Sequence, residues 1–136
     1  MQLDEITYKV NGAIFEVSRQ LGPGFLEKVY ERALLFELKS RGLKAEGQKA
    51  ITVKYKGMAI GDYFADILVE DTVILEIKTV NRLEKIHKAQ LLNYLKATGK
   101  TIGLLVNFKH QKAEIKRLVM DHADVRSGVT KEQVQR

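Results

Sequence analysis

Apolar residues near the start of the chain recur in steps of three and four. Ile6, Val10, Ala13, Ile14, Val17 and Leu21 share one side of a 3.6-residue repeat, which predicts an amphipathic helix. Gly22-Pro23-Gly24 ends it, because proline lacks the backbone donor and glycine tolerates positive φ. A second helix is predicted from Phe25 to Arg41, with Leu26, Val29, Tyr30, Ala33, Leu34 and Leu38 as its apolar stripe and Gly42 just past its end. The period then shortens. Ile51, Val53 and Tyr55 alternate with Thr52 and Lys54, Lys56-Gly57 makes a turn, and a second strand runs from Met58 to Val69. After a turn at Glu70-Asp71, a third strand from Val73 to Val80 is apolar on both parities except at Glu76 and Lys78, as in a central strand covered on both faces.

Leu83 to Thr98 reads as a helix closed by Gly99, and Thr101 to Phe108 as another buried strand. Ile115, Leu118 and Val119 mark a last short element whose type the pattern leaves open. Residues 1–120 are expected to form one domain, with 121–136 a polar C-terminal tail ending in Lys131-Glu132-Gln133-Val134-Gln135-Arg136. A helix between the third and fourth strands implies a crossover that makes those two parallel. The expected fold class is therefore α/β, a mixed central sheet flanked by helices.

Composition narrows the chemistry. The 136 residues suffice for one domain with a real core. They contain 23 Lys and Arg against 17 Asp and Glu, a formal net charge of +6. A basic excess favours a polyanionic partner such as nucleic acid through counterion release, although solubility alone also accounts for charge of this size. The absence of Cys excludes a disulfide scaffold, thiolate zinc, iron–sulfur clusters and a cysteine nucleophile. Met1-Gln2-Leu3-Asp4-Glu5 does not open a signal peptide, and the apolar runs fall short of the ~20 residues that span a bilayer. A cytoplasmic protein with no membrane partner is expected.

The chemically informative stretch is Asp62 to Lys78, DYFADILVEDTVILEIK. Glu76 and Lys78 are two apart in the most apolar strand, so they project from one face, and a tight turn at Glu70-Asp71 brings Asp66 of the preceding strand beside them. Charge on a central strand costs several kcal/mol per ion unless compensated. Lys78 paired with one carboxylate is one compensation. It leaves a second carboxylate, and two close carboxylates repel. A divalent cation removes that conflict, and oxygen ligands suit Mg²⁺ or Mn²⁺. A metal on Asp66 and Glu76 would act on a phosphate and its attacking water, with Lys78 on the same face.

These residues resemble a known family. Asp66 followed by Glu76-Ile77-Lys78 is similar to the D…(D/E)-x-K core of the PD-(D/E)XK nuclease superfamily, with Ala65 where the superfamily's name puts proline. Gly24-Phe25-Leu26-Glu27-Lys28-Val29-Tyr30 reads as G-x-x-E-x-x-Y, the signature of the GxxExxY family within it. Gln90-Leu91-Leu92-Asn93-Tyr94 is similar to the Q-x-x-x-Y motif of RecB-like nucleases. The resemblance extends from Ile6 to Val119 and implies a restriction-endonuclease-like core. It also implies a Mg²⁺- or Mn²⁺-dependent nuclease in which Asp66 and Glu76 bind metal and Lys78 assists hydrolysis. Glu27 is then the acidic residue that the first helices supply to the site.

The remaining candidates have two readings each. Gln90 and Tyr94 share a helix face with His87. That face is either an ordinary half-polar surface or the roof of the site, with Gln90 touching substrate or Lys78, Tyr94 touching phosphate or a base, and His87 a minor contact. Tyr30 is expected to pack, with its hydroxyl reaching toward substrate. DNA is favoured over RNA, and cutting both strands of a duplex would need a homodimer. The competing expectation is a non-cleaving nucleic-acid-binding or regulatory module that keeps the fold.

Overall fold

The computed structural model describes residues 1–122 and the backbone of residues 131–135. Its elements run α1 (Leu3–Leu21), α2 (Glu27–Ser40), β1 (Ala45–Tyr55), β2 (Met58–Val69), β3 (Val73–Lys78), α3 (Lys85–Thr98), β4 (Ile102–Asn107), β5 (Glu114–Val119) and β6 (Lys131–Gln135). The strands form one sheet in chain order, β1 to β6. Every neighbouring pair is antiparallel except β3 and β4, which run parallel with Val73 beside Ile102 and Lys78 beside Asn107. The α3 crossover supplies that parallel pair, as the order of elements predicts. The fold is α/β with a mixed sheet between helical layers.

Alternation along β3 sorts the core into two layers. Val73, Leu75 and Ile77 join Ile6, Val10 and Ile14 of α1 and Tyr30, Leu34 and Leu38 of α2 on one face. Ile74 joins Leu91 and Leu95 of α3, with Leu68, Leu105 and Leu118, on the other. Each such side chain contributes about 1.5–3 kcal/mol by leaving water. Gly103 lets α3 close on the sheet: a Cβ there would stand 2.8 Å from Leu91 Cδ1. Gly99, in the left-handed conformation, ends α3.

Four local expectations change. The buried stripe of α2 is Tyr30, Glu31, Leu34 and Leu38, whereas Leu26 and Val29 are exposed. The helix begins only after Leu26 and turns Glu31 toward the sheet. The first strand starts at Ala45, six residues ahead of Ile51, because Gly47 and a positive φ at Gln48 mask its alternation. The third strand stops at Lys78 instead of Val80, since Glu27 accepts from the Thr79 amide (3.0 Å) and Asn107 Oδ1 from the Val80 amide (3.1 Å). Buried Asn107 also donates to the Val80 carbonyl at 2.8 Å, which fixes the chain leaving β3. The open-ended element at Ile115–Val119 is strand β5. Within the stretch read as a polar tail, 131–135 pair with β5 as β6, while 123–130 and 136 lie outside the described residues.

Candidate active site

The β2–β3 ladder ends at the pair Ile67–Leu75. One step further the register would oppose Asp66 and Glu76. There the strands part and the two carboxylates take the place of ladder carbonyls. Asp66 Oδ2 accepts from the Ile77 amide at 2.8 Å, and Glu76 Oε1 accepts from the Asp66 amide at 3.2 Å. The opening coincides with an irregularity in β1, where Gln48, at φ 49°, interrupts the pairing between Gly47–Ile67 and Lys49–Ala65. A side chain placed across the gap keeps the exposed amides satisfied, and here each of those side chains is an acid.

The electrostatics follow from this crowding. Glu76 is 5% exposed. Burial first, then repulsion from Asp66, pushes its carboxyl up to about 8. Asp66 is also raised, chiefly by burial, then by Glu31 and Glu27, against the lowering effects of the Ile77 amide and Lys78. Burial and the repulsion between the two acids thus favour a proton staying with the pair near neutral pH. A bound cation does the same work as that proton without requiring either acid to stay neutral.

Lys78 projects from the same face of β3 as Glu76, and its Nζ donates to Gln90 Oε1 at 3.3 Å. Gln90 stands one helical turn before Tyr94 on the same face of α3, and burial, then the nearby Glu76 charge, raise the Tyr94 hydroxyl above its ordinary value. Lys78, Gln90 and Tyr94 thus form a polar chain from β3 to α3 beside the acids. On the α2 side, the Gln48 amide donates to Glu31 Oε1 and lies 3.4 Å from Asp66 Oδ1. Lys28 Nζ holds the other Glu31 oxygen at 2.8 Å.

The structure therefore brings Asp66, Glu76, Lys78, Gln90 and Tyr94 together. Glu27 reaches the edge of this group through the Thr79 backbone, one residue beyond Lys78. Tyr30 is fully buried, stacked on Phe108 with ring centroids 4.6 Å apart. Its hydroxyl donates to the Gly22 carbonyl at 2.6 Å and accepts from the Phe25 amide at 3.2 Å, so it braces the loop before α2 instead of reaching outward to substrate. His87 uses Nδ1 to accept from the Glu84 amide at 2.9 Å, within a capping box that starts α3. Sequence reasoning missed Glu31 and Gln48. Glu31 carried a signal: it lies four residues after Glu27 and on the stripe of Leu34 and Leu38, a charge in an apolar row. Gln48 carried none.

The donor set fits a hard divalent cation in part. Two carboxylates face one another in a buried gap and supply oxygen ligands only, as Mg²⁺ and Mn²⁺ prefer. Among the described residues, no group of three or more Asp, Glu, His or Cys side chains is gathered closely enough to form a complete metal cage. The pair would accordingly leave coordination positions to water and substrate.

No described helix is long and apolar enough to cross a membrane. A family model of the PD-(D/E)XK nuclease superfamily matches residues 4–118, which contain the whole cluster. Neither the curated proteins nor the solved structures compared with the chain include a match. The chain belongs to the PD-(D/E)XK nuclease superfamily.

Proposed function

We propose that this member of the PD-(D/E)XK superfamily is a Mg²⁺- or Mn²⁺-dependent nuclease that hydrolyses phosphodiester bonds, with DNA favoured over RNA, and that it falls in the GxxExxY family. Gly24, Glu27 and Tyr30, in that spacing, support the finer family placement. The observation that carries the activity is the Asp66–Glu76 pair. Two acids buried against each other at the end of a central ladder must hold either a proton or a cation between them, and a cation is what makes their ionised form useful to chemistry.

Each residue then has a role. Asp66 and Glu76 would hold the cation, which when bound supplies positive charge to the scissile phosphate and acidifies a coordinated water. Lys78, steadied by Gln90, orients the water and offsets charge developing on the phosphate. Tyr94, on the α3 face beside Gln90 and near the Glu76 charge, would offer its hydroxyl as a donor to a substrate oxygen. Glu27 acts through the backbone, fixing the turn after Lys78. Glu31 and Gln48 position Asp66 from the α2 side. A second copy would be needed to cut both strands of a duplex at one place.

The test is a panel of labelled DNA and RNA, single- and double-stranded, incubated with Mn²⁺. Cleavage by the native chain and its loss in Lys78→Ala support the reading. Binding without cleavage across the whole panel overturns it in favour of a non-cleaving module.

A further inference from the structure

Beyond Ala65, among the described residues, β2 pairs only with β1, so Ile51–Tyr55 and Met58–Tyr63 form a two-stranded arm that leaves the sheet. The arm leans along α3, and a cleft of about 870 Å³ lies between them. Val53, Lys54 and Tyr63 line the arm side, and Gln90, Tyr94 and Lys96 line the helix side. Three features of this cleft point to one kind of occupant.

The first is charge. The lining includes Lys54 and Lys96 and no Asp or Glu, although the acid pair is close by. The second is an unsatisfied aromatic face. Tyr63 is 50% exposed and its ring stands 5.8 Å from that of Tyr94, tilted by 48°, so the two are not stacked and the outer ring has a free side. The third is continuity. Gln90 and Tyr94 belong both to the cleft and to the polar chain that meets Lys78, so the cleft leads to the acids. Its volume sits toward the upper end of the roughly 300–1,000 Å³ typical of small-ligand clefts, room for a few unpaired nucleotides but not for the girth of a duplex.

Resting on the nuclease reading, we propose that this cleft guides a single unpaired nucleic-acid strand to the acid pair, with a base stacked on Tyr63 and phosphates met by Lys54 and Lys96. Base–aromatic stacking tolerates any sequence, since every base has a π face, and a lysine-flanked groove follows the backbone. The substrate class is thus a single strand or a strand end. A continuous duplex would have to open locally to enter.

The test separates this claim from the chemistry by measuring binding in EDTA, where no cutting occurs. Fluorescence anisotropy is read for 12-mers of identical sequence as single-stranded DNA, single-stranded RNA and blunt duplex DNA. The proposal expects a single strand, of either sugar, to bind at least tenfold more tightly than duplex. Tyr63→Ala should weaken it about 5- to 150-fold, the range of ~1–3 kcal/mol per stacked base, and Tyr63→Phe should restore it. Lys54→Glu with Lys96→Glu should flatten the salt dependence of the remaining binding. Duplex bound as tightly as single strands, or a folded Tyr63→Ala with unchanged affinity, overturns the cleft assignment. If strands bind through Tyr63 yet nothing is cut with Mn²⁺, the nuclease reading falls and the cleft stands. If only continuous duplex is cut, the reverse holds.

Discussion

Glu76 Oε1 lies 3.2 Å from the backbone nitrogen of Asp66, the place where the next ladder carbonyl would stand had β2 and β3 stayed together. The same atoms that would carry the chemistry therefore also close the sheet. Removing a carboxylate here affects both, and substitutions have to be chosen to tell them apart.

Glu76→Gln keeps an acceptor for the Asp66 amide and removes the charge. It should fold, lose cleavage, and lose the rise in melting temperature that Mn²⁺ gives the native chain, since a ligand bound only to the folded state stabilises it. Lys78→Ala should lower cleavage at least 100-fold, the scale of losing one charge-stabilising donor, while keeping the Mn²⁺ shift. Differential scanning fluorimetry beside a cleavage assay reads both. Equal Mn²⁺ shifts in native and Glu76→Gln proteins would remove the metal from this pair.

The pH dependence has a definite sign. A carboxyl held at about 8 in the folded chain, against 4.5 ordinarily, keeps its proton more tightly when folded. Its contribution to stability is complete below about 4.5 and is lost progressively up to about 8. Without metal, melting temperature should fall across that window. Since a metal requires the ionised acids, the Mn²⁺ shift and the cleavage rate should both grow over the same interval. A metal-free melting temperature that rises between those limits in native protein but not in Glu76→Gln would refute the assignment.

Glu31 raises Asp66 by its charge. Glu31→Gln should therefore move the acid limb of Mn²⁺ binding to lower pH. Titration of the Mn²⁺ shift at several pH values checks this, and an unmoved limb would leave Glu31 a purely structural partner of Lys28 and Gln48.

Tyr30→Phe removes two loop hydrogen bonds and keeps the stack on Phe108. A loss of about 1–2 kcal/mol in stability is expected from denaturant unfolding, with cleavage per folded molecule unchanged. A fall in cleavage without a fall in stability would return Tyr30 to the substrate.

Asn107→Ala leaves the half-buried Val80 amide and carbonyl without their side-chain partner. It should cost roughly 2–3 kcal/mol and, because the released segment leads from Lys78 to α3, should also lower cleavage at temperatures where the protein remains folded.

Much of this molecule was legible in the chain. Period and turn residues located α1, β2 and α3, and the charges in the apolar third strand singled out Glu76 and Lys78, which the fold brings close to Asp66. The reason is physical: regular elements bury one face, and an acid in such a face is conspicuous. What was hidden depends on contacts between distant segments. Gln48 bridges Glu31 and Asp66 across three elements, and the positive φ that puts it there leaves no trace in residue type. Tyr30 sits in a motif and His87 on the candidate helix face, yet their polar atoms are taken by the Gly22–Phe25 loop and by Glu84, partners that spacing alone does not reveal.

Among the described residues, the β1–β2 arm has no third strand along its far half. Two-stranded ribbons breathe more readily than the sheets they spring from. Amide exchange should be fast from Thr52 to Asp62 and slow along β3 and β4, so one wall of the cleft yields while the floor at Glu76 does not. On the proposed reading, a yielding wall would let a strand enter from the side as well as from a free end.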